Sequence, residues 1–473
     1  MKVKLVRALA LLLVCTIAGT CLACAKDPGS ISETTKAETQ ENVQETETGF
    51  KPDIDTNHYE SEFIITGTGH IRNYATALEE DRGDPLMDAI YERNVKIEEQ
   101  LGVEILDVDA GDWVSYTNNV LRTVQSGDDE YQLVLTHPYQ GVTSFLTFNA
   151  AYDYAKLESV NLDAPYWATD FMQEMMIQDQ YLLGYNDVCL TSVHCIMFNK
   201  EMMDTYRLQY PYDKVINKTW TLDAFFEMAS TVTSETEDPN PAYGIAGNGW
   251  VELISFVTSS NLKVVDKDSD GNFRIAYENN SEKTSSLLEK VNHMFHSEYA
   301  YLSSPRLQRE NLDFRDGTSM FYLQVTSSLP TYRDTDFDFG VLPYPLYDGA
   351  QDKYRALNWN GVMIIPASIK NTEMVSDVME LLAYYSAPVK TAYYEDLLGS
   401  KIAQAPQDAE MLDMIWGSVV SDIGMITANL NGMDPLLYMV PNLCVDGIDR
   451  YASFLKANSR NANRSLDQLF DQK

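Results

Sequence analysis

Aromatic side chains beside small or amide residues are the feature of this chain most suggestive of chemistry. It carries 29 Tyr, 6 Trp and 17 Phe in 473 residues. Several sit where a strand ends or a turn begins: Tyr139, Tyr185 followed by Asn186 and Asp187, Trp250 in Asn248-Gly249-Trp250, and Trp359 in Trp359-Asn360-Gly361. An aromatic face packs against the apolar face of a sugar ring, while amides and carboxylates hydrogen-bond its hydroxyls. Taken singly, each of these rings also reads as an ordinary core or surface aromatic. As a set they point to a site that binds a polar ring.

Catalytic spacings are not found. The sequence holds no G-x-S-x-G, H-E-x-x-H, phosphate-binding loop or strand-linked G-x-G-x-x-G. Its 70 acidic residues would allow many carboxylate pairs, and nothing selects one as a glycosidase dyad. Asp266, Asp268, Asp270 and Gly271 begin like a calcium loop, but position twelve is Tyr277, and Phe273, Ile275 and Tyr277 alternate as a strand does. A β-hairpin tip is expected there, with no metal and no cofactor. His293 and His296 lie beside a helical stripe without nearby ligand residues and receive no role. Cys189 and Cys195 flank one turn, so a bridge between them and two free thiols both remain open.

The elements that would position these residues alternate. Phe63–Thr66 reads as a strand and is followed by Gly67-Thr68-Gly69-His70. Asp84-Pro85 opens a helix with Leu86, Ile90, Ile97 and Leu101 on one face, and Gly102 closes it. A strand at Val103–Val108, a helix carrying Trp113, Val120, Leu121 and Val124, and a strand at Tyr131–Thr136 follow. Strand and helix in alternation predict an α/β class with a parallel sheet, and ligands bind outside the carboxyl ends of such strands. His70, His137 and Tyr139 stand at those ends.

From Tyr181 to Ala229 two strand-like runs, Tyr181–Gly184 and Val193–Phe198, precede a helix that Thr221 can cap. This stretch predicts the crossing from one packed half to another. Further strands are expected within Phe314–Leu323 after a turn, within Asp338–Pro345 where prolines stop it, and within Trp359–Pro366, with a mainly helical region beyond Pro366.

The amino end begins with Lys2, Lys4 and Arg7 and an apolar run over Ala8–Val14, as an export signal does. Thr20-Cys21-Leu22-Ala23-Cys24 resembles a bacterial lipobox, which implies cleavage after residue 23 and lipidation of Cys24. Residues 24–58 are rich in Thr, Glu, Gln and Ser and read as a disordered tether. Removing the three basic residues of the leader takes the formal charge from −35 to −38, which argues against nucleic acid and anionic lipid as partners.

In order and spacing, the segments Ser126-Gly127-Asp128-Asp129-Glu130-Tyr131, Phe198-Asn199-Lys200, Trp220-Thr221-Leu222-Asp223, Arg315-Asp316-Gly317-Thr318-Ser319-Met320, Phe339-Gly340-Val341-Leu342-Pro343 and Ile364-Ile365-Pro366 resemble the extracellular solute-binding proteins of ABC importers, of sugar-receptor type. The resemblance implies a two-lobed periplasmic-binding-protein-like α/β fold with hinge strands and a C-terminal helical region. Lobe one would take residues 59–190 plus 326–364, and lobe two 196–322 plus 367–473. It also implies Tyr322 and Gln324 as ligand contacts after the Gly317–Met320 run, where many sugar receptors place an aromatic that stacks on ligand; this chain has no tryptophan there. The expected site is therefore His70, His137, Tyr139, Asn186, Asp187, Trp250, Tyr322, Gln324, Trp359 and Asn360. The implied activity is capture of a carbohydrate, expected to be an oligosaccharide, by a monomeric, lipid-anchored, extracytoplasmic protein of the bacterial cell membrane. The implied partners are the permease subunits of an ABC transporter. Alternatives are a receptor for a peptide or other polar solute, a ligand sensor for a kinase, and a surface glycosidase.

Overall fold

Capping and glycine stops set the first elements as their sequences dictate. In the computed structural model, β1 (Ser61–Gly67) is followed by α1 (Pro85–Leu101), whose first amides of Leu86 and Met87 donate to the Asp84 carboxylate at 3.0 and 3.2 Å. Gly102 ends the helix at φ 61°, a left-handed conformation that a side chain disfavours. Next come β2 (Val103–Asp107), α2 (Tyr116–Ser126) and β3 (Leu133–Thr136). The structure describes residues 50–470, apart from 55, 57, 73–74, 77–82, 190–191, 233–240, 360 and 399–405, and omits the side chains of His70 and of 396–398. The leader at 1–23, Cys24, most of the expected tether and Asn360 lie outside the described residues. Among those described, no helix is long and apolar enough to cross a membrane.

Five strands build a second sheet: β4 (His194–Asn199), β5 (Tyr243–Asn248), β6 (Ala300–Ser303), β7 (Ser319–Val325) and β8 (Phe339–Leu342). Their order is β8-β4-β7-β5-β6, with β4 antiparallel to both neighbours and β5 parallel to both of its own. The chain then returns to the first sheet as β9 (Val362–Ile364), antiparallel to β3, giving the order β9-β3-β1-β2. Phe339–Leu342, expected on the first lobe, thus belongs to the second sheet. Its proline-terminated run pairs with β4 before the chain crosses back.

Three segments run side by side between the sheets. Val193 and Asn358 form a bridge, the Trp359 amide donates to the Ser192 carbonyl at 2.9 Å, and the Thr326 amide donates to Val193 at 2.9 Å. The first strand-like run, Tyr181–Gly184, is no strand: only Gly184 bridges to Met363. A Cβ at Gly184 would lie 2.4 Å from the Tyr154 ring, so the close approach of that ring requires glycine.

Trp220 is wholly buried, donates from its indole to the Pro343 carbonyl at 3.0 Å, and packs against Phe225 and Phe321. It joins α3 (Leu222–Ala229) to the second sheet, while α4 (Ser281–Phe295) buries Leu287, Leu288, Val291, Met294 and Phe295. Beyond β9, α5 (Thr372–Tyr384) and α6 (Ala387–Leu398) pack against α1 beside the first sheet, although the expected division gave all of 367–473 to the second lobe. The reason is charge as well as packing. Buried Asp377 and Glu380 on α5 accept hydrogen bonds from Tyr59, Ser159, Tyr166 and Trp167, all on the first-sheet side. The helix Pro406–Trp416 lies against β8 instead, where buried Asp408 takes the Lys200 ammonium at 2.9 Å. Val265–Lys267 and Phe273–Ile275 form the expected hairpin, with the Asp268 carboxylate accepting from the amides of Asp270 and Asn272 at its tip.

Candidate ligand-binding cleft

Where β3 ends at Thr136, the chain turns and presents His137 and Tyr139 at the carboxyl edge of the first sheet. His137 is 3% exposed and accepts the Tyr139 amide at Nδ1, 3.2 Å away, so its proton resides on Nε2. Its ring meets Trp359 edge-on at 4.7 Å and Trp113 at 5.7 Å. Trp359 comes from the third crossing segment and also touches His194, 4.9 Å away, at the start of β4. His194 is fully buried, and its Nδ1 pairs with the Glu252 carboxylate, which the Tyr344 hydroxyl approaches at 3.4 Å. Burial beside Glu252 holds the Tyr344 phenol well above the ordinary range, so it stays a hydrogen-bond donor.

A second branch starts at the equivalent edge of the other sheet. After β5 the Asn248 side chain accepts the amides of Trp250 and Val251 at 2.9 and 3.3 Å, a turn that fixes Trp250. Trp250 stacks on Tyr438 at 5.5 Å and 18°. Tyr139 reaches the same Tyr438 ring edge-on at 5.8 Å, and its hydroxyl donates to Asp434 at 2.8 Å. Asn429 donates to the Tyr139 carbonyl at 3.1 Å. Rings from both sheets, from a crossing segment and from the C-terminal helices therefore form one aromatic row.

No family model matches the sequence, and no curated protein matches it by sequence. Solved structures do match. A Thermotoga lettingae ABC-transporter solute-binding protein bound with α-D-tagatose is 15% identical with a TM-score of 0.57, covering 86% of this chain and 99% of that one. A Listeria monocytogenes ABC substrate-binding protein in complex with cycloalternan is 11% identical, TM-score 0.54, covering 83% and 99%. Mycobacterium tuberculosis UgpB in complex with glycerophosphocholine is 15% identical, TM-score 0.58, covering 87% and 98%. The chain has the fold of the ABC-importer solute-binding proteins.

Within the solute-binding-protein fold, four of the residues expected at the site come together in the aromatic row: His137, Tyr139, Trp250 and Trp359. Tyr322 and Gln324 do not. Tyr322 is 2% exposed, donates to the Leu312 carbonyl at 2.9 Å, and packs against Phe314 and Tyr332 in a core cluster. The Gln324 amide donates to the Tyr332 hydroxyl at 3.0 Å in that cluster. Strand alternation explains this, because Tyr322 points to the β7 face on which Phe314 and Tyr332 pack. Asn186 and Asp187 line a different cleft, where Asp187 takes the Lys390 ammonium at 3.0 Å. His70 lies in the short helix Gly69–Arg72 after β1, its side chain outside the description.

Sequence reasoning did not select Trp113, His194, Glu252, Asn429, Asp434 or Tyr438 for the site. Trp113 reads as part of the apolar face of a helix, yet α2 begins only at Tyr116 and leaves the indole 39% exposed. Asp112, which accepts the Val114 and Ser115 amides, was the signal that the helix starts later. Tyr438 and Asp434 lie about 300 residues from Tyr139 in sequence, beyond the reach of any local pattern. The buried thiols of Cys189, Cys195 and Cys444 are all pushed up by burial, Cys444 to about 12, and so are protonated at neutral pH.

Proposed function

We propose that this protein is an extracytoplasmic receptor that captures a carbohydrate, an oligosaccharide in the first instance, between its two lobes and delivers it to an ABC permease. The observation that carries this reading is the aromatic row, to which both sheets, a crossing segment and the C-terminal helices all contribute. A ligand held there touches both lobes only when they are close, so its binding free energy shifts the population toward the closed form. The three crossing segments serve as the hinge. The permease reads closure, and no bond in the ligand has to change.

Ring faces and flanking hydrogen-bonding groups suit a sugar ring better than an anion. Glu252 and Asp434 border the row, and a phosphate or carboxylate ligand would meet like charge there. Lipidation at Cys24 would hold the receptor at the membrane through the tether.

The test is a thermal-shift and calorimetry screen of the full chain against ribitol, D-tagatose, maltose, maltotriose, a dipeptide and glycerophosphocholine. A saccharide present at 100 times its dissociation constant should add about 2.7 kcal/mol to stability. Stabilisation by the peptide or the phosphodiester and by none of the sugars would overturn the carbohydrate assignment. Glycoside hydrolysis that a single carboxylate substitution abolishes would overturn the receptor reading altogether.

A further inference from the structure

A cleft of about 740 Å³ opens beside Asn186 and Asp187 and shares no lining residue with the aromatic row. One wall comes from the 162–174 segment, Tyr185–Asp187 and the helix α6, on the first-sheet side. The other comes from Trp416, the last residue of the helix packed on β8, and from Gly417 and Val419 beyond it. Its size lies within the span of small-molecule sites.

Two donors in this cleft lack acceptors. Asn186 is 3% exposed, and its carbonyl oxygen accepts the Val188 amide at 2.9 Å, but its Nδ2 has no hydrogen-bond partner among the described residues. The indole N–H of Trp416 is likewise buried without one among them. Both N–H groups are covered in this conformation and leaving them unsatisfied is costly, so a rotation of either side chain toward the cleft would let a ligand supply the missing acceptor. Ring faces border the same space: Trp416 stacks on Tyr394 at 4.1 Å and 23°, and Phe171 packs on Tyr185 at 4.4 Å.

Charge narrows the class. Asp163, Asp170, Glu174 and Asp187 line the cleft, against Lys390 as the one basic lining residue among those described, and Lys390 is engaged by Asp187. An anionic ligand would be repelled. A simple cation would satisfy the carboxylates and leave both N–H groups without acceptors. A neutral polyhydroxylated ring meets every requirement, since its hydroxyls accept from Asn186 and Trp416, donate to the carboxylates, and its C–H face packs on the rings.

We propose that this cleft is a second saccharide-binding site, separate from the aromatic row. The experiment follows the indole N–H resonances of the ¹⁵N-labelled full chain, with Trp416 assigned through Trp416→Phe, during titration with maltotriose and separately with choline. Maltotriose should shift Trp416 with a midpoint different from that of Trp250, and calorimetry should count two molecules per chain. Asn186→Leu should abolish the Trp416 response and leave the Trp250 curve in place. A shared midpoint with one molecule per chain would remove the second site. A Trp416 response to choline alone would remove the saccharide assignment. Response of Trp416 without Trp250 or Trp359 would keep this site and overturn the proposed role of the aromatic row, whereas silence of all three would overturn both.

Discussion

The Tyr139 hydroxyl donates to the Asp434 carboxylate at 2.8 Å, joining the loop after β3 to the C-terminal helices across the proposed ligand cleft. Burial and the neighbouring carboxylate keep that phenol protonated, its pKa raised well above the ordinary value. Two further bonds span the same gap, Asn429 to the Tyr139 carbonyl at 3.1 Å and Thr143 to the Ile426 carbonyl at 2.9 Å. The first two of these bonds are exposed and the Thr143 bond is buried, so under the proposed hinge motion side chains as well as ligand would hold the closed form.

Tyr139→Phe removes that hydroxyl and keeps the ring against Tyr438. Asp434 is exposed, so the bond contributes roughly 1 kcal/mol or less. The variant should populate a more open form without ligand, read as a larger radius of gyration by small-angle scattering. An unchanged radius, together with unchanged sugar affinity, would show that this contact does not govern closure.

Trp250→Ala and Trp359→Ala should each weaken saccharide binding by about tenfold or more, which corresponds to about 1.4 kcal/mol. Neither indole is fully buried; the Asn248 turn holds the Trp250 backbone, and the bond to the Ser192 carbonyl on the neighbouring crossing segment holds that of Trp359. Circular dichroism and melting should therefore change little. Wild-type affinity in both variants would take the aromatic row out of ligand binding.

The sequence signals that can be traced in the fold are local. The Asp84 cap, the Gly102 stop and the alternation of strand and helix announce the first sheet, and the strand-end rule picks out His137 and Tyr139. Trp250 and Trp359 were legible from the turn residues beside them. Their partners were not, because Tyr438 and Asp434 reach the row only through packing of the C-terminal helices on the second lobe. Tyr322 failed for a related reason: whether a strand residue faces cleft or core depends on which elements cover that face, and Phe314, Tyr332 and Phe337 cover it.

Tyr322→Phe separates those two roles. It removes the hydrogen bond to the Leu312 carbonyl and leaves the ring among Phe314 and Tyr332. The expected outcome is a stability loss of about 1 kcal/mol in urea denaturation with sugar affinity unaltered. A selective loss of affinity would return Tyr322 to the site.

Cys189 and Cys195 are free and fully buried, and they belong to different core clusters. A reducing agent should therefore leave the melting temperature unchanged. Both thiols should react with a thiol reagent only after denaturation. A melting temperature lowered by reductant would show that a bridge forms and would stiffen the approach to the first crossing segment.

Glu380 supplies a pH prediction whose sign follows from its burial. The carboxylate lies 1% exposed on α5, accepting the Trp167 indole at 2.9 Å and the Asn161 amide at 3.1 Å, and desolvation raises its pKa despite those bonds. The folded chain therefore holds this proton more tightly than the unfolded chain, whose glutamate titrates near about 4.3. Between that value and the raised folded one, the native state binds more protons, so stability falls as pH rises. The contribution is complete below the unfolded pKa and gone above the folded one. Glu380→Gln keeps an acceptor oxygen and removes the titration. Urea midpoints of wild type and variant, compared across the weakly acidic range, should show the wild-type advantage shrinking as pH increases. An advantage that grows with pH would mean that the charged carboxylate is the better partner for Trp167 and Asn161, and that hydrogen bonding outweighs burial at this position.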